Sequence, residues 1–176
     1  MAGATAEEEF LSAFQTHSDA LFRHAFFRLS NRERAVDLTQ DTFIKAWDYV
    51  RGGGDVKSPK SFLFRVLNNL IIDEYRRAKS ESLDKKLEDN PAFEAALAEG
   101  SLWEVEESAD EQSLIEKVHV AINGLPEKQK TVVTMRFIDG FTPKEIARMI
   151  GSTENAVSVR IHRALAELKS QLTQTA

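Results

Sequence analysis

The stretch "DGFTPKEIARMIGSTENAVSVRIHRALAELK", Asp139 to Lys169, holds two helix starts and one helix stop. Thr142, Pro143 and Glu145 supply an N-cap, a first-turn proline and the acid of a capping box. Gly151 closes that short helix, and Ser152 or Thr153 caps a longer one running to about Leu172. A short helix, a tight glycine turn and a longer helix form a helix-turn-helix signature. Val157, Ile161, Ala164, Leu165 and Leu168 share one face of the longer helix and are expected in the core. Asn155, Ser158, Val159, His162 and Arg163 lie opposite, with Arg160 on the flank. The major groove takes this mixture: amide and hydroxyl for base edges, guanidinium for guanine or phosphate, an apolar group for a thymine methyl. The plainer reading is a solvated amphipathic helix, and the cap-turn-cap arrangement favours DNA contact over it.

Total charge gives the opposite impression. The 176 residues carry a formal net charge of −5, which argues against a polyanionic ligand. The acidity is local, however. From Ser80 to Glu116 there are 12 acidic residues against Lys85 and Lys86, a net of −10, so the remainder is +5. Around Ser80 to Asp110 helical periodicity also fades, and the segment reads as an acidic flexible linker. "NGLPEKQ" beyond it stops one helix at Gly124 and opens the next at Pro126.

The N-terminal block, about Glu7 to Lys79, reads as three helices. Phe10, Phe14, Leu21, Ala25 and Leu29 mark the first. Ser30 or Asn31 caps the second, whose core side is expected to be Val36, Phe43, Ala46, Trp47 and Val50. "RGGGDVKSP" interrupts, because consecutive glycines are costly to fix in a helix. The third helix is expected from about Ser58 to Ala78. Along it Arg65, Asn69, Asp73 and Arg76 form one stripe, extended by Arg77 and Lys79, with Asp73 also placed to pair with Arg77. Arginines neutralise phosphates while an amide reads a base. The second helix shows the reverse character, a compact acidic edge of Asp37, Gln40 and Asp41.

Together "AVDLTQDTFIKAW", "FLFRVLNNLIIDEYRR", "LPEKQKTVVTMRFIDGFTPKEIA" and "TENAVSVRIHRAL" resemble, in order and register, the extracytoplasmic-function (ECF) sigma factors of bacterial RNA polymerase. The resemblance covers nearly the whole chain. It implies an all-α fold of two small helical domains joined by the acidic linker. Residues 1–79 would form the region 2 domain, 80–110 the linker and 111–176 the region 4 domain with its helix-turn-helix. It implies that Asp37, Gln40 and Asp41 dock on the clamp helices of the polymerase largest subunit, where carboxylates meet basic helices. It implies further that residues 1–79 take the −10 promoter element as melted strand, with a base flipped into a pocket at the "RGGGDVKSPK" loop. Asn69 matches a prominent asparagine of this helix in the family. Lys57, Lys60, Arg76 and Arg77 suit phosphates, and Arg65 and Asp73 complete the expected −10 surface. Asn155, Ser158, Val159, Arg160, His162 and Arg163 would read the −35 element as duplex. The linker would thread basic channels of the polymerase, and an anti-sigma factor is an expected partner.

The sequence departs from the family at Ser158 and Val159, where a basic residue and a serine are frequent, and at Leu165, where arginine is frequent. Fewer cations predict a shallower salt dependence.

Other chemistries find no support. "GGGDVKS" fails as a phosphate loop, because Val56 precedes Lys57 and no strand leads in. His17, His24, His119 and His162 lack metal-ligand spacing, and there is no cysteine. The expectation is a cytoplasmic protein with no enzyme activity, no cofactor and no membrane insertion. A helix-turn-helix regulator acting without core polymerase is the alternative. It would need a receiver or ligand-binding domain, which the N-terminal block does not offer.

Overall fold

The computed structural model describes residues 5–82 and 109–174, and every regular element among them is helical. Three helices, α1 (Ala6–Leu29), α2 (Arg32–Arg51) and α3 (Pro59–Ser82), form the first part. The second has α4 (Ala109–Asn123), α5 (Glu127–Val133), a π-helical turn (Thr134–Ile138), α6 (Pro143–Ile150) and α7 (Glu154–Gln174). The chain divides into two compact units, Met1–Asn90 and Pro91–Ala176. Residues 80–82 continue α3 and residues 109–110 begin α4; the rest of the expected 80–110 linker lies outside the described residues.

Local chemistry sets the helix ends. Thr5 and Glu8 form a capping box at the start of α1. Ser30 takes a left-handed conformation (φ 51°) to end α1, leaving Asn31 to cap α2 by accepting from the Arg34 amide at 3.0 Å. The two candidate caps therefore divide the work, one closing and one opening.

In the N-terminal unit Leu21, Ala25, Phe26 and Phe27 of α1 are buried, as are Ala35, Leu38, Phe43 and Ala46 of α2 and Leu63, Phe64, Leu67 and Ile71 of α3. Val36 is not in this core. It is 36% exposed, while Ala35, Thr39 and Thr42 face inward. Small residues let α2 approach its neighbours closely, and the threonines bury without penalty by donating to the carbonyls of Ala35 and Leu38 at 2.7 and 2.6 Å. Phe14 is likewise 43% exposed, although its ring packs on Phe43 with centroids 4.6 Å apart. Arg28, buried, donates to the Asn68 Oδ1 at 3.3 Å, and the Tyr75 hydroxyl donates to the Arg28 carbonyl, tying α1 to α3.

In the C-terminal unit Ile122, Leu125, Val133 and Ala164 pack together with Val118 and Leu168. The π-helical turn carries the Asp139 amide to the Thr134 carbonyl (3.1 Å) and the Phe141 amide to the Met135 carbonyl (3.0 Å), delivering buried Phe141 to the foot of α6. Arg136 donates to the Phe141 carbonyl at 3.2 Å and holds that corner.

Candidate nucleic-acid interface

The helix-turn-helix is built as its caps dictate. The Thr142 amide donates to Glu145 Oε2 at 2.8 Å while Thr142 Oγ1 accepts from the Glu145 amide at 3.3 Å. Gly151 is left-handed (φ 65°), and Thr153, not Ser152, caps α7 by accepting from the Ala156 amide at 3.2 Å. Ile146, Ala147 and Met149 of α6 and Val157 and Ala164 of α7 are buried, so α7 presents a fixed outer face. That face carries Asn155, Ser158, Val159, His162 and Arg163, all exposed, with Arg160 half-buried at its edge. Leu165 belongs to this outside too. It is 43% exposed rather than in the core, because the seam runs through Val157, Ile161, Ala164 and Leu168. Ser158 Oγ donates to the Glu154 carbonyl at 3.0 Å, so its hydroxyl offers a base mainly an acceptor. Among the described residues no acid forms an ion pair with Arg160 or Arg163.

The stripe on α3 is also assembled, with Arg65, Asn69, Asp73, Arg76 and Arg77 all exposed. The two adjacent asparagines separate cleanly: Asn68 is buried on Arg28, and Asn69 is open. The cations here are pre-paired, unlike those of α7. Arg76 meets Asp73 at 3.6 Å and Arg77 meets Glu74 at 3.4 Å. Asp73 thus pairs one turn on with Arg76, while Arg77 goes to Glu74. Lys57 is exposed on the glycine loop, and Lys60 is half-buried at the start of α3. Burial, and then the charge of Lys60, push the His17 imidazole below its ordinary value.

On α2 the side chains of Asp37, Gln40 and Asp41 are all exposed along one edge. Asp37 touches Arg34 at 3.1 Å, and Arg34 reaches Glu74 of α3 through two hydrogen bonds of 2.8 and 2.6 Å. The Arg34 guanidinium holds the Glu74 carboxyl below the usual carboxylate range, and Glu74 in turn raises Arg34. One end of the acidic edge is therefore clamped in place. Ile44, one turn beyond Asp41, is 59% exposed and lines an apolar groove of about 420 Å³ with Phe10, Leu11, Phe14, Phe43 and Trp47.

Two family models match the chain in order: Sigma-70 region 2 over residues 13–81 and Sigma-70, region 4 over residues 115–168. The chain belongs to the ECF sigma factors. It is 28% identical over 158 residues to the RNA polymerase sigma factor SigV of Bacillus subtilis, covering 90% of this chain and 87% of SigV. It is 26% identical over 170 residues to the ECF RNA polymerase sigma factor SigW of the same organism, covering 94% and 90% of the two chains. With SigL of Mycobacterium tuberculosis it shares 26% over 175 residues, covering 98% and 94%. The fold is that of the sigma factor RpoE solved with the anti-sigma factor NepR from Bartonella quintana, with a TM-score of 0.73 at 23% identity over 94% of this chain and 97% of that one. CnrH, solved with the cytosolic domain of CnrY, gives a TM-score of 0.67 at 23% identity over 97% and 91%.

In this ECF sigma factor the acidic edge and the α3 stripe both fall within the region 2 match, and the α7 face falls within region 4. The sequence reading overlooked Arg34 and Glu74. Their spacing of 40 residues leaves no local pattern, and only the packing of α2 on α3 joins them. Among the described residues no helix is long and apolar enough to cross a membrane, and no cluster of three or more His, Asp or Glu side chains could hold a metal.

Proposed function

We propose that this chain mounts on core RNA polymerase through Asp37, Gln40 and Asp41 and directs initiation at a restricted set of promoters. Residues 1–79 then dock on the clamp helices and take the −10 element. Residues 80–110 tether the parts, and residues 111–176 take the −35 element. The observation that carries this reading is the coexistence of two opposite surfaces on one small unit. An exposed acidic edge on α2 suits a basic protein helix, and a basic stripe on α3 suits a nucleic-acid strand. A regulator that only bound DNA would have no use for the first.

In this scheme Lys57, Lys60, Arg76 and Arg77 contact phosphates of the melted strand, Arg65, Asn69 and Asp73 line it, and Asn155, Ser158, Val159, Arg160, His162 and Arg163 meet the −35 duplex. The free guanidinium of Arg163 supports its place at a base or phosphate. The ion pairs on α3 are long and both arginines are largely exposed, so Arg76 and Arg77 can exchange Asp73 and Glu74 for phosphate at little cost. The chain performs no covalent chemistry, since the polymerase supplies metals and synthesis, and it works in the cytoplasm. An anti-sigma factor, the kind of partner with which RpoE was solved, would act by covering these faces.

Direct binding to core tests the docking claim. Labelled wild-type chain is expected to co-migrate with core enzyme in gel filtration, and a chain that elutes alone at micromolar concentrations would refute it.

A further inference from the structure

Four charges alternate in sign where α2 packs on α3. Asp37 of α2 meets Arg34 Nη1 at 3.1 Å, and Arg34 meets Glu74 of α3 through Nε at 2.8 Å and Nη2 at 2.6 Å. Glu74 Oε2, which takes the shorter of those two bonds, also meets Arg77 Nη1 at 3.4 Å. The ends of this row belong to different surfaces, Asp37 to the acidic edge and Arg77 to the basic stripe. Their side chains are 55% and 64% exposed, so each end can meet a partner, whereas Glu74 between them is 19% exposed.

All three Arg34 nitrogens are engaged, two on Glu74 and one on Asp37, so a change at one carboxylate is felt at the other. A cation arriving on Asp37 competes for that carboxylate and repels Arg34, which settles on Glu74. Glu74, more fully neutralised, then holds Arg77 less and leaves it to a phosphate. From the other end, a phosphate that takes Arg77 leaves Glu74 to Arg34 alone, and Asp37 is freed for a cation. The two routes carry the same sign, as linkage requires. Salt screens exposed charges beyond about 8 Å, so the ends communicate through these contacts more than through the field. We propose that Glu74 is a positioning residue which, by dividing itself between Arg34 and Arg77, makes helix docking on Asp37 and strand binding on Arg77 favour each other. The inference rests on the proposed function, which supplies a basic helix at one end and a phosphate at the other. It adds a link between two surfaces that otherwise act separately. Each pair in the row keeps solvent contact, so the coupling is modest, about three-fold.

The test measures core affinity of the full chain by competition, with and without a saturating single-stranded oligonucleotide that carries the −10 element of a promoter it transcribes. The ratio of the two affinities is the coupling, and any contribution of core itself to holding the strand is common to all variants. Glu74→Gln and Arg34→Gln break the same clasp and are each expected to lower the wild-type ratio about three-fold. They should differ in strand affinity of the assembled complex. Glu74→Gln leaves Arg77 free and keeps the wild-type value; Arg34→Gln leaves Glu74 holding Arg77 and lowers it about three-fold. A merely structural clasp would move the thermal midpoint of both variants and their strand affinities alike. A wild-type ratio of one, an unchanged ratio in the variants, or equal strand affinities for the two would overturn the inference. If one variant proves poorly folded, the ratio in the other decides. A wild-type chain that does not bind core would instead refute the function on which the inference rests, before any variant is compared.

Discussion

Arg34 of α2 grips Glu74 of α3 in a two-pronged hydrogen bond, at 2.8 Å through Nε and 2.6 Å through Nη2, and reaches Asp37 at 3.1 Å with its remaining nitrogen. A planar guanidinium meeting both carboxylate oxygens fixes orientation as well as distance. The acidic edge is thereby referenced to the helix that carries the basic stripe. Because Arg34 retains solvent contact, the pair is worth much less than a buried one.

Glu74→Gln is accordingly expected to lower stability by about 1 kcal/mol at neutral pH. The pH dependence has a definite sign. The folded-state pKa of Glu74 lies below its ordinary 4.5, so its contribution is full above that pH and is lost as pH falls through the folded value. Urea denaturation at pH 7 and at pH 3 should show wild type and variant converging in acid; a constant gap would show that the charge is not what matters.

Docking can be challenged without disturbing that clasp. Gln40→Arg combined with Asp41→Arg reverses the exposed edge and leaves Arg34, Asp37 and Glu74 in place. Affinity for core polymerase is expected to fall at least ten-fold, with no change in the thermal midpoint or in duplex binding by α7. Competition against labelled wild type measures it.

On α7, Arg163→Ala should weaken −35 duplex binding by about 1–3 kcal/mol, and Lys169→Ala, near the end of the helix, by less. The salt slope should be shallow, since only two arginines stand on this face. Filter binding across a salt series separates a phosphate contact, which lowers the slope by about one, from a base contact, which does not.

The C-terminal unit has its own acid sensitivity. His119 is buried on α4, within 3.0 Å of the Asn123 amide nitrogen, and burial, then the charge of Lys130, push its pKa down to about 4. The unfolded chain takes up a proton near pH 6.5 and the folded chain does not, so stability is full above 6.5 and declines as pH falls toward 4. The loss is on the order of 3 kcal/mol at the bottom of that window. Thermal melts between pH 7 and 4.5 should show the decline in wild type and a flatter profile in His119→Gln.

Much of this was legible in the residues. Capping chemistry is local, so Thr142, Pro143, Glu145 and Gly151 announced the helix-turn-helix, and the structure builds it on those contacts. The stripe on α3 needed only helical spacing. Helical spacing of apolar residues places Val36 and Leu165 inside, and the structure places them outside. Val36 and Leu165 are exposed because Ala35 with Thr39 and Thr42, and Val157 with Ala164, supply the closer packing. The Arg34–Glu74 clasp was not readable, since it depends on how elements meet and no spacing rule encodes that.

The most direct test of the central claim is transcription in vitro from purified core enzyme, with genomic fragments as template and transcript ends mapped. Adding this chain is expected to produce discrete start sites that core alone does not use, and the Gln40→Arg, Asp41→Arg chain should produce few or none. Identical transcripts with and without the chain, from active core and with no inhibitor present, would contradict the account.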